Sequence, residues 1–461
     1  MSKDIDLLNG SITNSIIRLS LPLMGTAFIQ MAYSLVDLIW VGKLSTEAVA
    51  AVGCCGFFIW IAQSLILISR TGLSVGMSQA YGKRDNRDLG EVARSGFQVN
   101  FLIWTALTLI YTVFRDDILG FYRLDHEVEI LAVKYFNIIT FGLIFTFWVP
   151  AIESVYYARG NSTTPFKVST VALIFNIIAD PILIFGLGPF PNLGIEGAAI
   201  ATVLAQAIAF FIFIYLGIKD REIYVRINYF KKININRIIY IFKLGVPASL
   251  QSIIHALVGI RLNRFIADFG AASIAAFAIG AQIESVSWMS AEGFSTAFSS
   301  IFGQNYGAKN FERILECRKK GLKILTTVGV LAASLLFFAR EPIFKIFIND
   351  MDVIKIGSSY LMINAISEIF MVYEIGTTGM LNGLGLTKYP AINAVIFNVF
   401  RIPMAIFLIP IFGVDGIWAA ISISSVIKGI VIIICYKYIS DKTSGFRENM
   451  NMYVSKMDEI I

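Results

Sequence analysis

The sequence predicts an all-α membrane protein, with twelve transmembrane helices in two pseudosymmetric six-helix lobes around a central cleft. Three observations carry this. Apolar residues make up 56% of the chain and charged residues only 15%, with a mean hydropathy of +0.72. A soluble domain carries about 25% charged residues, and the apolar excess here calls for lipid as part of the solvent. The charges cluster between long apolar runs, and short motifs recur at a spacing near 225 residues.

A run of about 20 apolar residues crosses a bilayer as a helix. Such runs lie near 15–41, 48–77, 92–114, 128–157, 165–187, 195–217, 238–266, 273–303, 322–340, 354–380, 390–411 and 415–439. Basic residues orient them. Lys83, Arg84, Arg87 and Arg94 follow the second span. Lys219, Arg221, Arg226, Lys231, Lys232, Arg237 and Lys243 follow the sixth, and Lys309, Arg313, Arg318, Lys319, Lys320 and Lys323 follow the eighth. The connections 188–194 and 412–414 hold no Lys or Arg; Lys43, Arg115, Arg123, Lys134, Arg340 and Lys345 are exceptions to the pattern. Even-numbered connections are thus expected in the cytoplasm, together with both termini. The first ten residues are mixed polar and lack the features of a cleavable signal, so the first span is expected to target the chain to the cell membrane.

The repeat is read from several motifs in one order. Leu21-Pro22 recurs as Val246-Pro247, and Gln79-Ala80-Tyr81-Gly82 as Gln304-Asn305-Tyr306-Gly307. Phe175-Asn176 with Pro181 recurs as Phe397-Asn398 with Pro403, and the Gly194–Ala198 run as Gly413–Ile417. Six spans per half make the halves parallel, related by an axis along the membrane normal. The expected division is an N-terminal lobe over 1–218, a polar, basic cytoplasmic linker over 219–237 and a C-terminal lobe with a short tail over 238–461. Two such lobes suit a transporter that opens to one side and then the other.

Composition also excludes. The net charge of +6 sits in short loops between spans, which argues against nucleic-acid binding. Cys54, Cys55, Cys317 and Cys435 form no zinc spacing, and the chain has two histidines, His126 and His255. No nucleotide-binding loop, metalloprotease or nucleophile-elbow motif is present, so neither an ATP-driven pump nor a membrane enzyme finds its machinery.

Ionisable groups inside spans are costly and point to function. On span one, Gln30, Tyr33 and Asp37 share a helical face, with Ser34 beside them and Pro22 below, where the proline predicts a bend. Asp37 reads either as an ion-coupling group or as a carboxylate snorkelling near Lys43. On span five, Asn176 and Asp180 lie one turn apart, and Pro181 frees the carbonyl of Ile177. With Thr202 on span six, these oxygens suit Na⁺ or a proton, or an interhelical cluster that only holds spans together. Glu153, near Pro150, is a further candidate for the cavity. The second half does not copy this chemistry: Leu262 and Ile402 stand at the positions of Asp37 and Asp180. It carries Arg261, Arg264, Glu284, Glu292, Glu368, Glu374 and Arg401 instead, read as paired ions or as a substrate surface.

The Leu-Pro at 21–22 with Asp37 and Gly42, the repeated Gln-x-Tyr-Gly, Asn176 with Asp180-Pro181 and the Gly-x-x-Gly-Ala run at 194–198 resemble the multidrug and toxic compound extrusion (MATE) family, from about Ile12 to Tyr438. Ile283-Glu284-Ser285 and Gly293-Phe294-Ser295 look like its DinF-type branch. The resemblance implies a secondary antiporter that exports organic cations or toxic metabolites in exchange for H⁺ or Na⁺. No cofactor is expected, and two lobes in one chain already make a complete pathway, so a monomer in membrane lipid is expected to function. It also implies ion handling at Pro22, Gln30, Tyr33, Asp37, Asn176, Asp180 and Thr202. An asparagine often noted on the fourth helix in that branch is absent, and Glu153 stands in that region. A flippase for a lipid-linked saccharide is the alternative, supported by Arg261, Arg264 and Arg401.

Overall fold

The structure, a computed structural model, describes residues 4–229 and 231–441. Among them are fifteen helices and no strand: α1 (Ile12–Gly42), α2 (Thr46–Lys83), α3 (Asn86–Val113), α4 (Arg115–Gly120), α5 (His126–Ala158), α6 (Thr163–Phe185), α7 (Ile195–Asp220), α8 (Ile223–Arg226), α9 (Ile235–Ala267), α10 (Ala271–Gly307), α11 (Phe311–Phe338), α12 (Arg340–Phe347), α13 (Met351–Gly383), α14 (Lys388–Phe412) and α15 (Asp415–Asp441). All twelve expected spans are helical. Each begins at or before its apolar window, because capped polar turns carry the helix past the apolar stretch. Ser45, Asp85, Asn310 and Asp350 cap α2, α3, α11 and α13 by accepting backbone N–H groups of the first turn. Eleven helices are long and apolar enough to cross a membrane. The twelfth expected span, α10, is 37 residues long, but Gln282, Glu284, Ser285, Ser287, Ser290 and Glu292 dilute its apolar middle.

The repeat is visible in the backbone. The first residues of α2 to α6 recur 225 positions later as those of α10 to α14, including the short α4 and α12. Arg84 and Lys309, both just past the Gln-x-Tyr-Gly motifs, have φ of 56° and 57°. Gly160 and Gly385 share the left-handed region at 91° and 78°. Counted from helix starts, the residue matching Asn176 in the repeat is Arg401, and the one matching Asp180 is Ala405. The Phe-Asn motif, spaced at 222, pointed to Asn398 and Ile402 instead. Motif and helix start diverge because α14 carries its Phe-Asn pair three residues nearer its first turn.

The chain forms two compact units. One comprises Leu21–Gly245 with the N-terminal residues up to Ile5; the other comprises Asp6–Ser20 with the chain from Val246 onward. The polar stretch 219–237, expected as a linker, packs within the first unit. There Gln98 donates to the carbonyls of Tyr229 at 3.0 Å and Lys231 at 3.3 Å, and Arg237 pairs with Asp88 at 2.6 Å. A side chain at Gly245 would meet the Ile68 carbonyl oxygen at 2.0 Å, so the start of α9 lies flush against α2. In the second unit, the carbonyl of Leu7 accepts from Asn305 at 3.1 Å and from Arg313 at 3.2 Å, and Arg313 also bonds the carbonyl of Gly10.

Small residues and interhelical hydrogen bonds hold each unit, as expected where lipid removes the hydrophobic contrast. In the first, Ser69 donates to Asn100 at 2.6 Å, Asn100 to the Phe147 carbonyl at 3.3 Å, and Thr146 to Gln206 at 2.6 Å. In the second, Phe277 stacks on Trp418 and Tyr360 meets the same indole edge-on. Gly379 of α13 brings its backbone against Ser295 of α10. Outward-facing apolar side chains such as Phe141, Phe338 and Phe407 are more than 70% exposed, which marks a lipid-facing surface.

Candidate functional site

Three helices of the first unit bring the predicted oxygens together. Asp37 comes from α1, Asn176 and Asp180 from α6, and Thr202 from α7. Thr202 Oγ1 donates to Asp37 Oδ2 at 3.1 Å, and Asn176 Nδ2 donates to Asp180 Oδ1 at 3.2 Å. Asp37 is also an electrostatic neighbour of Asp180, so the four side chains form one cluster. Asn176 and Asp180 are fully buried. The i, i+4 spacing on α6 puts the amide and the carboxyl on one face, and the small run Gly197-Ala198-Ala199 admits α7 closely. A side chain at Gly197 would meet the Leu183 carbonyl at 2.4 Å.

Asp37 Oδ1, Asn176 Oδ1, Asp180 Oδ2 and the Tyr33 hydroxyl are all occluded yet have no protein hydrogen-bond partner. Buried oxygens rarely remain unmatched. An all-oxygen set with two carboxyl groups fits a hard monovalent cation or an exchangeable proton. Among the described residues, no group of histidine, cysteine and acidic side chains has the form of a transition-metal site.

The remaining candidates divide. Tyr33 joins the edge of the cluster. Gln30 and Ser34 are exposed, and Ser34 bonds only the backbone carbonyl of Gln30 at 3.4 Å. Pro22 lies inside a continuous α1, where Thr26 donates to its carbonyl at 3.0 Å. Lys43 sits over the Trp40 ring at 4.3 Å and takes no part in the Asp37 contacts. Glu153, 2% exposed, belongs to a different group: Ser169 donates to it at 3.3 Å, and Arg70 and Tyr157 lie beside it. Arg70 and Tyr135 were missed by sequence reasoning. An arginine inside span two was the available signal for the first. Tyr135, which lies close to Asp37 and Asp180, carried none, being one tyrosine among eighteen.

In the second unit, Arg261, Glu284, Glu368 and Arg401 have neutral partners among the described residues. Arg261 stacks over Phe265 at 4.6 Å. Glu284 accepts the hydroxyl of Tyr360, and Glu368 accepts that of Ser287 at 2.6 Å. Arg401 donates to Ser424 at 2.6 Å and to Ser425 at 3.1 Å. Hydroxyls on α10, α13 and α15 take the place that opposite charges were expected to fill.

Two helical units built on one repeated unit, with an acidic oxygen cluster buried in the first, define a membrane transporter of two homologous halves. The MatE family model matches residues 22–182 and 247–407. The chain therefore belongs to the MatE family. Both matches begin at a helix-interior proline, Pro22 and Pro247, 225 residues apart. The chain is similar to a probable multidrug resistance protein NorM of Thermotoga maritima, at 27% identity over 88% of each chain. It is similar to an FAD transporter of Shewanella oneidensis, at 24% identity over 93% of this chain and 95% of that one. The multidrug export protein MepA of Staphylococcus aureus is 23% identical over 90% and 92%. In fold it matches a MATE transporter in the straight conformation, with a TM-score of 0.88 at 22% identity, covering 96% of this chain and 100% of that one. It also matches the Vibrio cholerae MATE transporter VcmN in the bent form, with a TM-score of 0.85 at 20% identity, covering 93% and 96%.

Proposed function

We propose that the protein is a secondary active exporter that moves organic cations or other amphipathic toxic molecules out of the cell in exchange for H⁺ or Na⁺, by alternating access. The observation that carries the reading is the Asp37–Asn176–Asp180–Thr202 cluster, with occluded oxygens that no protein group satisfies. Two carboxyl groups in one oxygen cluster can take up a cation or a proton and give it back. Because they sit on α1, α6 and α7, a change in their occupancy acts directly on how these helices pack. Pro22 gives α1 a place to bend in response. The names of the relatives, multidrug resistance and export proteins, agree with this role. The proposed activity is transport and needs no cofactor. The basic connections favour a topology with both termini in the cytoplasm, and the two halves in one chain support a monomer as the working unit.

The test is efflux of the cationic dye rhodamine 123 from proteoliposomes, with pH and Na⁺ gradients imposed separately. Efflux under one gradient, abolished in Asp37→Asn and in Asp180→Asn, is the expected result. Undiminished gradient-driven efflux in both variants sinks the proposal.

A further inference from the structure

The interior of the second unit holds charges of both signs kept apart by neutral groups. Arg401 is 8% exposed and Lys428 7%, and both belong to helices long and apolar enough to cross a membrane. Each would be expected to pair with a carboxylate, because a lone buried charge is expensive. Among the described residues, neither does. Arg401 bonds the hydroxyls of Ser424 and Ser425, and Lys428 bonds the Asn398 amide oxygen at 3.2 Å. Both cations keep N–H donors that these bonds do not use. Neither hydrogen bond of Arg401 uses Nη1, so that side of the guanidinium keeps donors to offer.

The acids of the same interior are held separately. Glu284 and Glu368 are held by hydroxyls, while Glu284 and the 6% exposed Glu374 both lie within electrostatic range of Arg401 and Lys428 without direct contact. A cation pair and a carboxylate near one another but unjoined present a dipole to whatever enters between them. Placement in the repeat sharpens the point. Arg401 and Asn176 each lie thirteen residues beyond the first residue of their helices. Where the first unit carries an oxygen for a cation, the second carries a guanidinium.

We propose that Arg401 and Lys428 form a subsite for the acidic group of a zwitterionic substrate, a carboxylate or a phosphate carried beside a cationic centre. This rests on the transport reading above and narrows its substrate class. A planar guanidinium accepts a carboxylate through two parallel N–H bonds, and the ammonium adds a point charge at its side. Ser424 and Ser425 set the plane of the guanidinium, and Glu374 faces the substrate's positive end.

Rhodamine 110 and rhodamine 123 differ only in that the first has a free carboxylate and the second its methyl ester. Binding of each to the purified full chain in nanodiscs is read by fluorescence anisotropy. The wild type is expected to bind rhodamine 110 about tenfold more tightly than rhodamine 123, in line with the strength of charge-assisted bonds. Arg401→Gln and Lys428→Gln should each erase that preference by weakening rhodamine 110 binding about tenfold, with unchanged size-exclusion elution reporting an intact fold. Should either variant fail to fold, Ser425→Ala, which removes one acceptor and no charge, should lower the preference about threefold. Equal affinity of the wild type for both dyes, or equal loss of both in the variants, overturns the subsite. If rhodamine 123 is exported with no preference for rhodamine 110, the subsite falls and the transport reading stands. If the preference is present but Asp37→Asn leaves efflux intact, the transport reading falls and the subsite stands. Binding of neither dye counts against both.

Discussion

Replacing Thr202 by valine keeps the side-chain shape and deletes one donor, the hydroxyl that reaches Asp37 Oδ2 at 3.1 Å. A hydrogen bond to a charged group contributes about 1.5–3 kcal/mol in soluble proteins, whereas interhelical bonds in membranes average about 0.6 kcal/mol. At about 1.4 kcal/mol per decade, the bracket is roughly three- to 140-fold in ion half-saturation. The direction identifies the ion. The donor supports the empty, negative carboxylate, so its loss favours proton uptake: with H⁺ coupling, half-maximal efflux moves to higher pH by about 0.4–2 units. With Na⁺ coupling, a ligand oxygen is lost and the Na⁺ requirement rises by the same factor. The assay is dye efflux from proteoliposomes across a pH series and a Na⁺ series. Both midpoints staying within about twofold of wild type, in protein that elutes normally, would refute the view that this bond belongs to the ion site.

Further outcomes follow from the packing and the caps. Gly379→Ala places a methyl 2.0 Å from the Ser295 carbonyl oxygen and should destabilise by about 1–3 kcal/mol or more. Gly53→Ala, which meets nothing within 4 Å, should be neutral or mildly stabilising, so equal thermal unfolding of the two variants would contradict the α10–α13 contact. Arg159 pairs with the buried Glu222 at 2.5 Å. Arg159→Ala should therefore cost roughly 3–5 kcal/mol, and adding Glu222→Gln should recover much of it; a double variant as unstable as the single would argue against the pair. The backbone N–H groups of Asp88 and Arg87 hold the Asp85 carboxyl below the usual carboxylate range. This cap is present at neutral pH and lost as pH falls through about 4 and below. Hydrogen exchange in the first turn of α3 should quicken over that interval, and in Asp85→Ala it should be fast throughout; a wild type insensitive to acid would exclude the cap.

Much of the fold was legible because the bilayer admits so few solutions. A chain this apolar must satisfy its backbone internally, so span positions follow from length alone. The repeat was legible because turn chemistry is local: Gln-x-Tyr-Gly precedes the same left-handed residue in both halves. The oxygen cluster was legible because Asp37 and Asp180 are charges at membrane depth, and such charges are rare enough to stand out. Glu153 shows the limit. Its cost in the membrane was as plain as that of Asp37, but which helix faces it is a matter of packing, and that packing gives it Arg70 and Ser169 instead. The second-unit charges show another. Charges of both signs within one half suggest pairs, yet Glu284 and Arg401 bond tyrosine and serine hydroxyls, which are too common to signal anything in a sequence.

The N-terminal arm also sets a timetable for synthesis. The carbonyl of Leu7 is satisfied by Asn305, 298 residues later, and by Arg313. At roughly 5–20 residues per second, a ribosome takes about 15–60 s to cover that distance. The arm thus waits for roughly the next 300 residues before these partners exist, while most of the first unit can already pack. Whatever shields the arm during that interval governs how much of the newly made protein reaches the finished fold.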